Sequence, residues 1–282
     1  MDIEKLKSWL GREQQAAQRM DLWPVEGLYA LLNMDAHPAE GDEAPYLAQW
    51  LYFGPTVPQS RIATDGHPER GDFLPPIPLP RRMWAASDVT FKRNLRIGET
   101  VQKTARIADI SSKEGASGTL LFLKVDNDYV DESGAAILRE TQTLVYRDEP
   151  SSAEASPRST PAPSIAAWSQ AVTPDETMLF RYSAITFNAH RIHYDRSYTQ
   201  DVEHYADIIV QGQLTATLLL EAFLRAKPEQ RIASFSFRGV QPIFCNETIY
   251  LEGAPDGSEG TYRLWARDAA GNMRTSAKIT AV

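Results

Sequence analysis

A single cysteine among 282 residues, Cys245, leaves no partner for an intramolecular disulfide and no basis for a cysteine-built zinc site. Flanked by Phe244 and Asn246, it reads as a small buried side chain rather than a nucleophile. Long apolar runs are missing too. No stretch reaches the roughly 18 residues of a membrane helix, and the opening segment MDIEKLKSWLGREQQAAQRM lacks the apolar centre of a secretory signal. A cytoplasmic protein with no membrane partner is expected. Positive charge is also short: 29 Lys and Arg stand against 37 Asp and Glu, a net charge of -8, with no basic stripe to offset it. Nucleic acid is therefore not an expected partner.

What is present is a globular composition, 43% hydrophobic and 23% charged, long enough for one large or two medium domains. The stretch DEPSSAEASPRSTPAPSIAA has no apolar periodicity and reads as a solvated linker over residues 149–166. It separates an N-terminal domain, residues 1–148, from a C-terminal domain, residues 167–282.

The first half opens with charges and apolar residues at helical spacing, which predicts a helix over 2–19, and a second helix follows over 24–33. From Asp65 to Trp84 the chain runs DGHPERGDFLPPIPLPRRMW, a proline density that no helix interior or central strand accepts. Alternating segments at 88–93, 100–110, 118–129 and 137–146 then predict four successive strands, hence an antiparallel sheet. The second half repeats the plan. A strand is expected over 178–185, a helical segment over 196–205, an apolar turn at 208–212, a helix over 213–225, and strands at 232–237, 248–251, 261–268 and 273–281. The helix QLTATLLLEAFLR is apolar on nearly all faces, as expected of one enclosed by other structure. An antiparallel sheet wrapped round a buried helix, occurring twice, describes an α+β chain of double hot-dog type. The repeat is one of element order, without residue-level identity between the halves.

The chemistry concentrates in FNAHRIHYD, residues 187–195, where two histidines, an asparagine and an aspartate crowd together upstream of the apolar helix. This stretch and the turn before that helix resemble the MaoC-like hydratases and dehydratases, whose pattern is D-x-N-P-x-H-x-D followed by an apolar-His-Gly turn. DGHPERGDFLPPIPLPRRMWA and HRIHYD resemble more closely the hydroxyacyl-thioester dehydratase type 2 subgroup, which includes mesaconyl-C4-CoA and itaconyl-CoA hydratases. The resemblance covers the chain from about Leu22 onward.

That resemblance implies a carbon–oxygen lyase acting on a CoA or acyl-carrier thioester, without a metal or other cofactor. His193 falls on the family histidine and becomes the expected general acid/base, since imidazole can both accept and return a proton. The N–H of Gly212, where the turn enters the buried helix, is the expected partner of the thioester oxygen. Two departures stand out. Asn188 occupies the place of the aspartate and cannot take a proton at neutral pH, and Gln211 occupies that of the turn histidine, where a contact near the thioester is expected to change.

His190 is a second candidate for proton transfer, and Asp195, just before a helical segment, reads as an N-cap. A metal set of His190, His193, Asp195 and His204 is the weaker reading of the same residues. His67 and Arg70 either close over the pocket or brace the proline-rich stretch. Arg81, Arg82, Arg191 and Arg238 are the candidate cations for a substrate carboxylate, with Arg191 equally able to meet CoA phosphates or a neighbouring carboxylate.

A short branched dicarboxylyl-CoA is the expected substrate. The alternatives are a (3R)-hydroxyacyl-thioester dehydratase of fatty-acid type, which would need a long apolar tunnel, a thioesterase, and a non-catalytic thioester-binding protein. Either a pseudo-dimeric monomer or a homodimer is compatible with this plan.

Overall fold

The computed structural model describes residues 2–115, 118–148 and 159–282, so the serine- and proline-rich residues 149–158 of the expected linker lie outside the described residues. Strands β1 (Glu13–Arg19), β2 (Arg81–Phe91), β3 (Thr100–Gly115), β4 (Gly118–Asp131) and β5 (Ala136–Arg147) come from the first half. Strands β6 (Trp168–Val172), β7 (Ile232–Gly239), β8 (Ile249–Pro255), β9 (Thr261–Arg267) and β10 (Met273–Ala281) come from the second. All pair antiparallel in one sheet of order β1-β3-β4-β5-β2-β7-β10-β9-β8-β6. Read inward from either edge, each half places its strands first, third, fourth, fifth, second. The repeat expected from element order is thus present in the topology.

The halves join through β2 and β7, which pair from Ala86↔Arg238 to Thr90↔Ser234. Beyond Ala86 the strands part, and Arg81 to Ala85 on one side and Gly239 to Gln241 on the other become walls of a cavity. A buried polar chain pins the join. Trp84 donates to Ser87 at 2.9 Å, Ser87 donates to Glu140 at 2.7 Å, and Trp50 donates to the same carboxylate oxygen at 3.0 Å.

Five α-helices accompany the sheet among the described residues: α1 (Ile3–Lys7), α2 (Leu22–Leu31), α3 (Glu176–Thr186), α4 (Arg196–Asp201) and α5 (Gly212–Ala226). Helix α5 is buried without a break from Leu214 to Leu220, as its all-round apolar pattern requires. Its core is shared, because Val25, Leu28 and Val89 of the first half belong to one apolar cluster with Leu214, Phe223 and Ile279 of the second. The first half has no α-helix in the corresponding place. Between α2 and β2 there are only two short 3-10 turns, Ala48–Leu51 and Gln59–Arg61, and then the proline-rich strap. Ile77 and Leu79 of that strap close a second apolar cluster over Ile107, Leu121 and Leu123.

Four elements differ from the sequence expectation. The helix expected over 2–19 is α1 followed by β1, because Gly11 at φ +79° ends the helical stretch and β3 offers an open edge from Thr100 to Arg106. All seven residues of β1 are exposed, so edge pairing overrides the helical preference of Glu, Gln and Ala. The strand expected over 178–185 is α3: Asp175 accepts the Met178 N–H as N-cap, and Leu179, Tyr182 and Ile185 are buried at helical spacing. Strand β6 was not anticipated, and β2 begins directly after Pro80, inside the proline-rich stretch.

Phe235 lies opposite Val89 in the join and is 1% exposed. Phe235→Ala is expected to destabilise the protein by about 3–5 kcal/mol. Because the sheet and core are continuous, far-UV circular dichroism and tryptophan fluorescence should still report one coincident transition. Two separate transitions would show that the halves fold independently.

Candidate active site

The cavity between the parted strands has a volume of about 1650 Å³ and is walled by both halves. Helix α5 enters it N-terminus first. Gly212, Gln213 and Thr215 line the wall, and the first N–H groups of the helix have no intrahelical acceptor. A Cβ on Gly212 would stand 3.8 Å from the Trp84 carbonyl, an ordinary van der Waals contact with the sheet.

The histidine segment reaches the cavity through a run of local constraints. Helix α3 ends at Phe187, φ +50°, and Asn188 then turns back to donate its N–H to Ser183. The Asn188 side-chain oxygen accepts the His190 N–H at 3.1 Å, and a 3-10 turn, Arg191–His193, follows. Asp195 closes the segment by accepting the Tyr198 N–H at 3.0 Å as N-cap of α4, the role expected of it. The Ile209 N–H bonds back to the Ile192 carbonyl, holding the turn against the segment that leads into α5.

His193 is buried, with Nδ1 2.7 Å from the Ile209 carbonyl oxygen. A carbonyl only accepts, so Nδ1 carries the proton, and Nε2 of the neutral ring is a free base. Burial outweighs that hydrogen bond and brings the imidazole down to about 4. His190 is also buried, its ring centroid 5.4 Å from that of His193, and burial together with the neighbouring rings and Arg82 keeps it well below its ordinary value.

A third imidazole arrives from the first half. His67 lies against His190 with centroids 4.0 Å apart and ring planes tilted by 42°, and its Nδ1 lies 3.0 Å from Asp65 Oδ2. Burial and then Arg82 lower His67 to about 4; Asp65, pushed up by burial but held down by His67 and Arg82, ends near 2. The pair is thus an ionised carboxylate beside a neutral ring. Backbone contacts clamp this loop to the histidine segment. The Arg191 N–H donates to Asp65 O at 2.9 Å, and Arg191 Nη1 donates to Thr64 O at 3.0 Å. Gly66, at φ +89°, lies so close that a Cβ would collide with the Ala189 carbonyl.

The candidate cations separate cleanly. Arg81 is buried in an ion pair with Glu203 at 2.8 Å, and Arg191 is held by Asp195 at 2.7 Å. Arg70 stands off the cavity wall, donating to the carbonyls of Ile77, Leu79 and Pro80 and so bracing the strap. Arg238 is exposed on β7 and does not line the cavity. Arg82 does line it, is half-buried near His67, and has no ion pair or hydrogen bond among the described residues. Gln211 points away: fully buried, it donates to Leu179 O and Ser183 Oγ, tying α5 to α3 rather than facing the reaction space. That corrects the expected contact near the thioester.

His190, His193, Asp195 and His204 do not converge. Among the described residues the only group offering three close metal-ligand atoms is Asp65, His67 and His190, within 4.8 Å of one another, and Arg82 beside them opposes a cation there. Sequence reasoning passed over Asp65, although it opens the DGHP motif. It also missed Lys103 and Gln49 on the inner wall, single polar residues that carry no pattern of their own.

A sequence profile of the family described as hydroxyacyl-thioester dehydratase type 2 matches residues 47–245, which span the strap, the histidine segment and α5. The chain belongs to the hydroxyacyl-thioester dehydratase type 2 family. A mesaconyl-C(4)-CoA hydratase of Chloroflexus aurantiacus is 39% identical over 276 residues, covering 96% of this chain and 97% of that protein. The chain is similar in fold to a MaoC-like dehydratase of Phytophthora capsici, with a TM-score of 0.70 at 13% identity over 100% of this chain and 99% of that one. A Mycobacterium tuberculosis protein described as a double hotdog fold matches with a TM-score of 0.62 at 14% identity, over 99% and 97% of the two chains. The fold is a double hot-dog, and the protein is a carbon–oxygen lyase of the hydratase and dehydratase class. None of its described helices is long and apolar enough to cross a membrane.

The buried imidazoles have a consequence for stability. His193 titrates near 4 when folded and near 6.5 when unfolded, so in that window the unfolded state binds more protons. Its contribution is complete above pH 6.5 and is lost as pH falls through 4, on the order of 3 kcal/mol. The melting temperature of the wild type should fall across this range, and His193→Asn should flatten the fall. Equal slopes for both proteins would refute the assignment of a neutral buried ring.

Proposed function

We propose that this lyase hydrates a short dicarboxylyl-CoA of the mesaconyl-C4 kind, adding water across the double bond conjugated to the thioester. The observation that carries the reading is the locked His193 tautomer, with Nε2 left as a base, in the same cavity as the free N–H groups of Gly212 and α5. Water attacks the β carbon of the acyl group while His193 Nε2 takes one of its protons. The electron pair moves to the thioester oxygen, where the Gly212 N–H and the positive end of α5 stabilise it. His193 then returns the proton to the α carbon, so the net change is one water added. The scheme takes no cofactor beyond the CoA of the substrate.

In a mesaconyl-C4 thioester the β carbon carries both a methyl group and the free carboxylate. A cation is therefore needed close to the base rather than at a distant pocket end. Arg82, beside His67 and without a partner among the described residues, supplies it. An itaconyl thioester bears the same carboxylate, but its double bond lies outside conjugation with the thioester. An enolate-stabilising turn assists it only after a proton shift.

The fatty-acid alternative is disfavoured by the inner wall. Lys103 lines it with its ammonium over the rings of Phe53 and Tyr129, each 5.7 Å away. Gln49, 1% exposed, has no hydrogen-bond partner for either amide atom among the described residues. An alkyl chain against these groups would leave them unsatisfied at about 1–3 kcal/mol each.

Water addition to a panel of crotonyl-CoA, a long-chain enoyl-CoA, itaconyl-CoA and mesaconyl-C4-CoA tests the reading, followed by loss of enoyl-thioester absorbance and by product mass. Mesaconyl-C4-CoA should be preferred, and His193→Ala should cost about 10²–10⁴-fold in kcat. Arg82→Gln should raise KM for mesaconyl-C4-CoA at least tenfold and leave crotonyl-CoA nearly unchanged. Preference for the long chain would move the assignment to fatty-acid dehydration, and release of free CoA would indicate a thioesterase.

A further inference from the structure

The histidine segment has no carboxylate of its own in the cavity. Asn188 stands in that place with its side-chain oxygen engaged by the His190 N–H, and Asp195 is spent on the α4 N-cap and on Arg191. The first half brings an imidazole to the same cavity, with a carboxylate behind it. Asp65 and His67 sit on the loop that Arg191 and the Gly66–Ala189 contact clamp to the histidine segment, and His67 lines the cavity.

We infer that Asp65 and His67 form the second water-holding group of the active site, with His67 Nε2 accepting one hydrogen of the attacking water while His193 Nε2 takes the other. The inference rests on the hydratase reading above and goes beyond it by assigning a catalytic residue from the degenerate half.

The geometry fixes the roles. A carboxylate accepts only, so His67 Nδ1 carries the ring proton at the 3.0 Å contact with Asp65 Oδ2. His67 Nε2 is then an acceptor with no partner among the described residues. A water that gives one hydrogen to His67 and one to His193 presents its lone pairs to the β carbon, and its placement is set by rings from two different halves. Asp65 acts as a positioning residue, holding the His67 tautomer. The groups facing His67 are Asp65 from its own loop, Arg82 from β2, and His190 and His193 from the histidine segment.

The experiment has two arms on the full-length protein. In the first, ¹⁵N-histidine NMR between pH 6 and 8, without substrate, should show His67 as the neutral ring with its proton on Nδ1, and Asp65→Asn should disturb that state. A proton on Nε2, or a charged ring at neutral pH, would overturn the inference whatever the substrate proves to be. In the second, Asp65→Asn and His67→Ala should lower kcat about 10²-fold with KM within threefold, on any thioester that the wild type hydrates. His67→Gln, which keeps an acceptor, should recover part of the loss.

Thermal melting accompanies each variant. A fall in melting temperature with kcat unchanged would mean that the pair merely braces the loop. Activity lost on chelation and restored by Zn²⁺ would also overturn the inference, replacing it with a metal held by Asp65, His67 and His190. If NMR supports the tautomer but no substrate in the panel gains water, the hydratase reading fails and the inferred water-holding role falls with it. A 10²-fold loss confined to the variants fails neither.

Discussion

Everything in this molecule depends on a short seam. β2 and β7 pair over only five positions, from Ala86↔Arg238 to Thr90↔Ser234, and that is enough to make two five-stranded sheets into one. The seam is anchored on one side by Phe235 and Val89 in the shared apolar cluster and on the other by the Trp84, Ser87, Glu140 and Trp50 chain. Burial pushes the Glu140 carboxyl up, which is tolerable because its oxygen accepts from two donors. Were the pairing longer, the strands could not part at Ala85 and Gly239, and the cavity would have no mouth. Were it shorter, the histidine segment and the strap would not face one another.

The second determinant is an asymmetry within the repeat. Strand order is mirrored across the seam, yet among the described residues only the second half has a long central helix. Where its counterpart would lie, the first half has a 3-10 turn carrying Gln49 and Trp50, and then a proline-rich strap that cannot be helical. A helix there would fill the space now bounded by Trp50, Lys103 and Tyr129. Losing one helix therefore creates a reaction chamber, and it also frees the strap to reach across the seam. His67 is the result: a residue of the half without the histidine motif, in ring contact with a residue of the half that has it.

How much of this was legible in the sequence follows from which interactions are local. The core helix, most of the strands and the Asp195 cap could be read because each depends on spacing within a few residues. Misread segments fall where the deciding partner is distant. EQQAAQR has helical propensity and becomes a strand only because β3 has an edge to offer. MLFRYSAI has apolar residues compatible with either period, and Asp175, one residue before the α3 helix, was the signal for a helix. At the site, motif resemblance located His193 and Gly212, which the structure brings to the same cavity. It could not show that Arg81, Arg191 and Arg70 are already committed to other groups, leaving Arg82 unengaged among the described residues, because pairing is a property of the folded surface.

The same pairing pattern explains how a chain with a net charge of -8 can favour an anionic acyl group. Global charge sets long-range behaviour, whereas recognition inside a cavity depends on the few charges that are desolvated there. Here the wall carries Arg82 and Lys103, with the ionised Asp65 behind His67, while the three imidazoles are held neutral chiefly by burial. An acyl group without charge would offer Arg82 no ion pair, leaving only the field of Asp65 to compensate it. One with a carboxylate on the β carbon compensates that guanidinium at the position where water must attack. Selectivity and reactivity are then coupled: the contact that makes binding favourable also sets the β carbon against the water held between His193 and its partner ring.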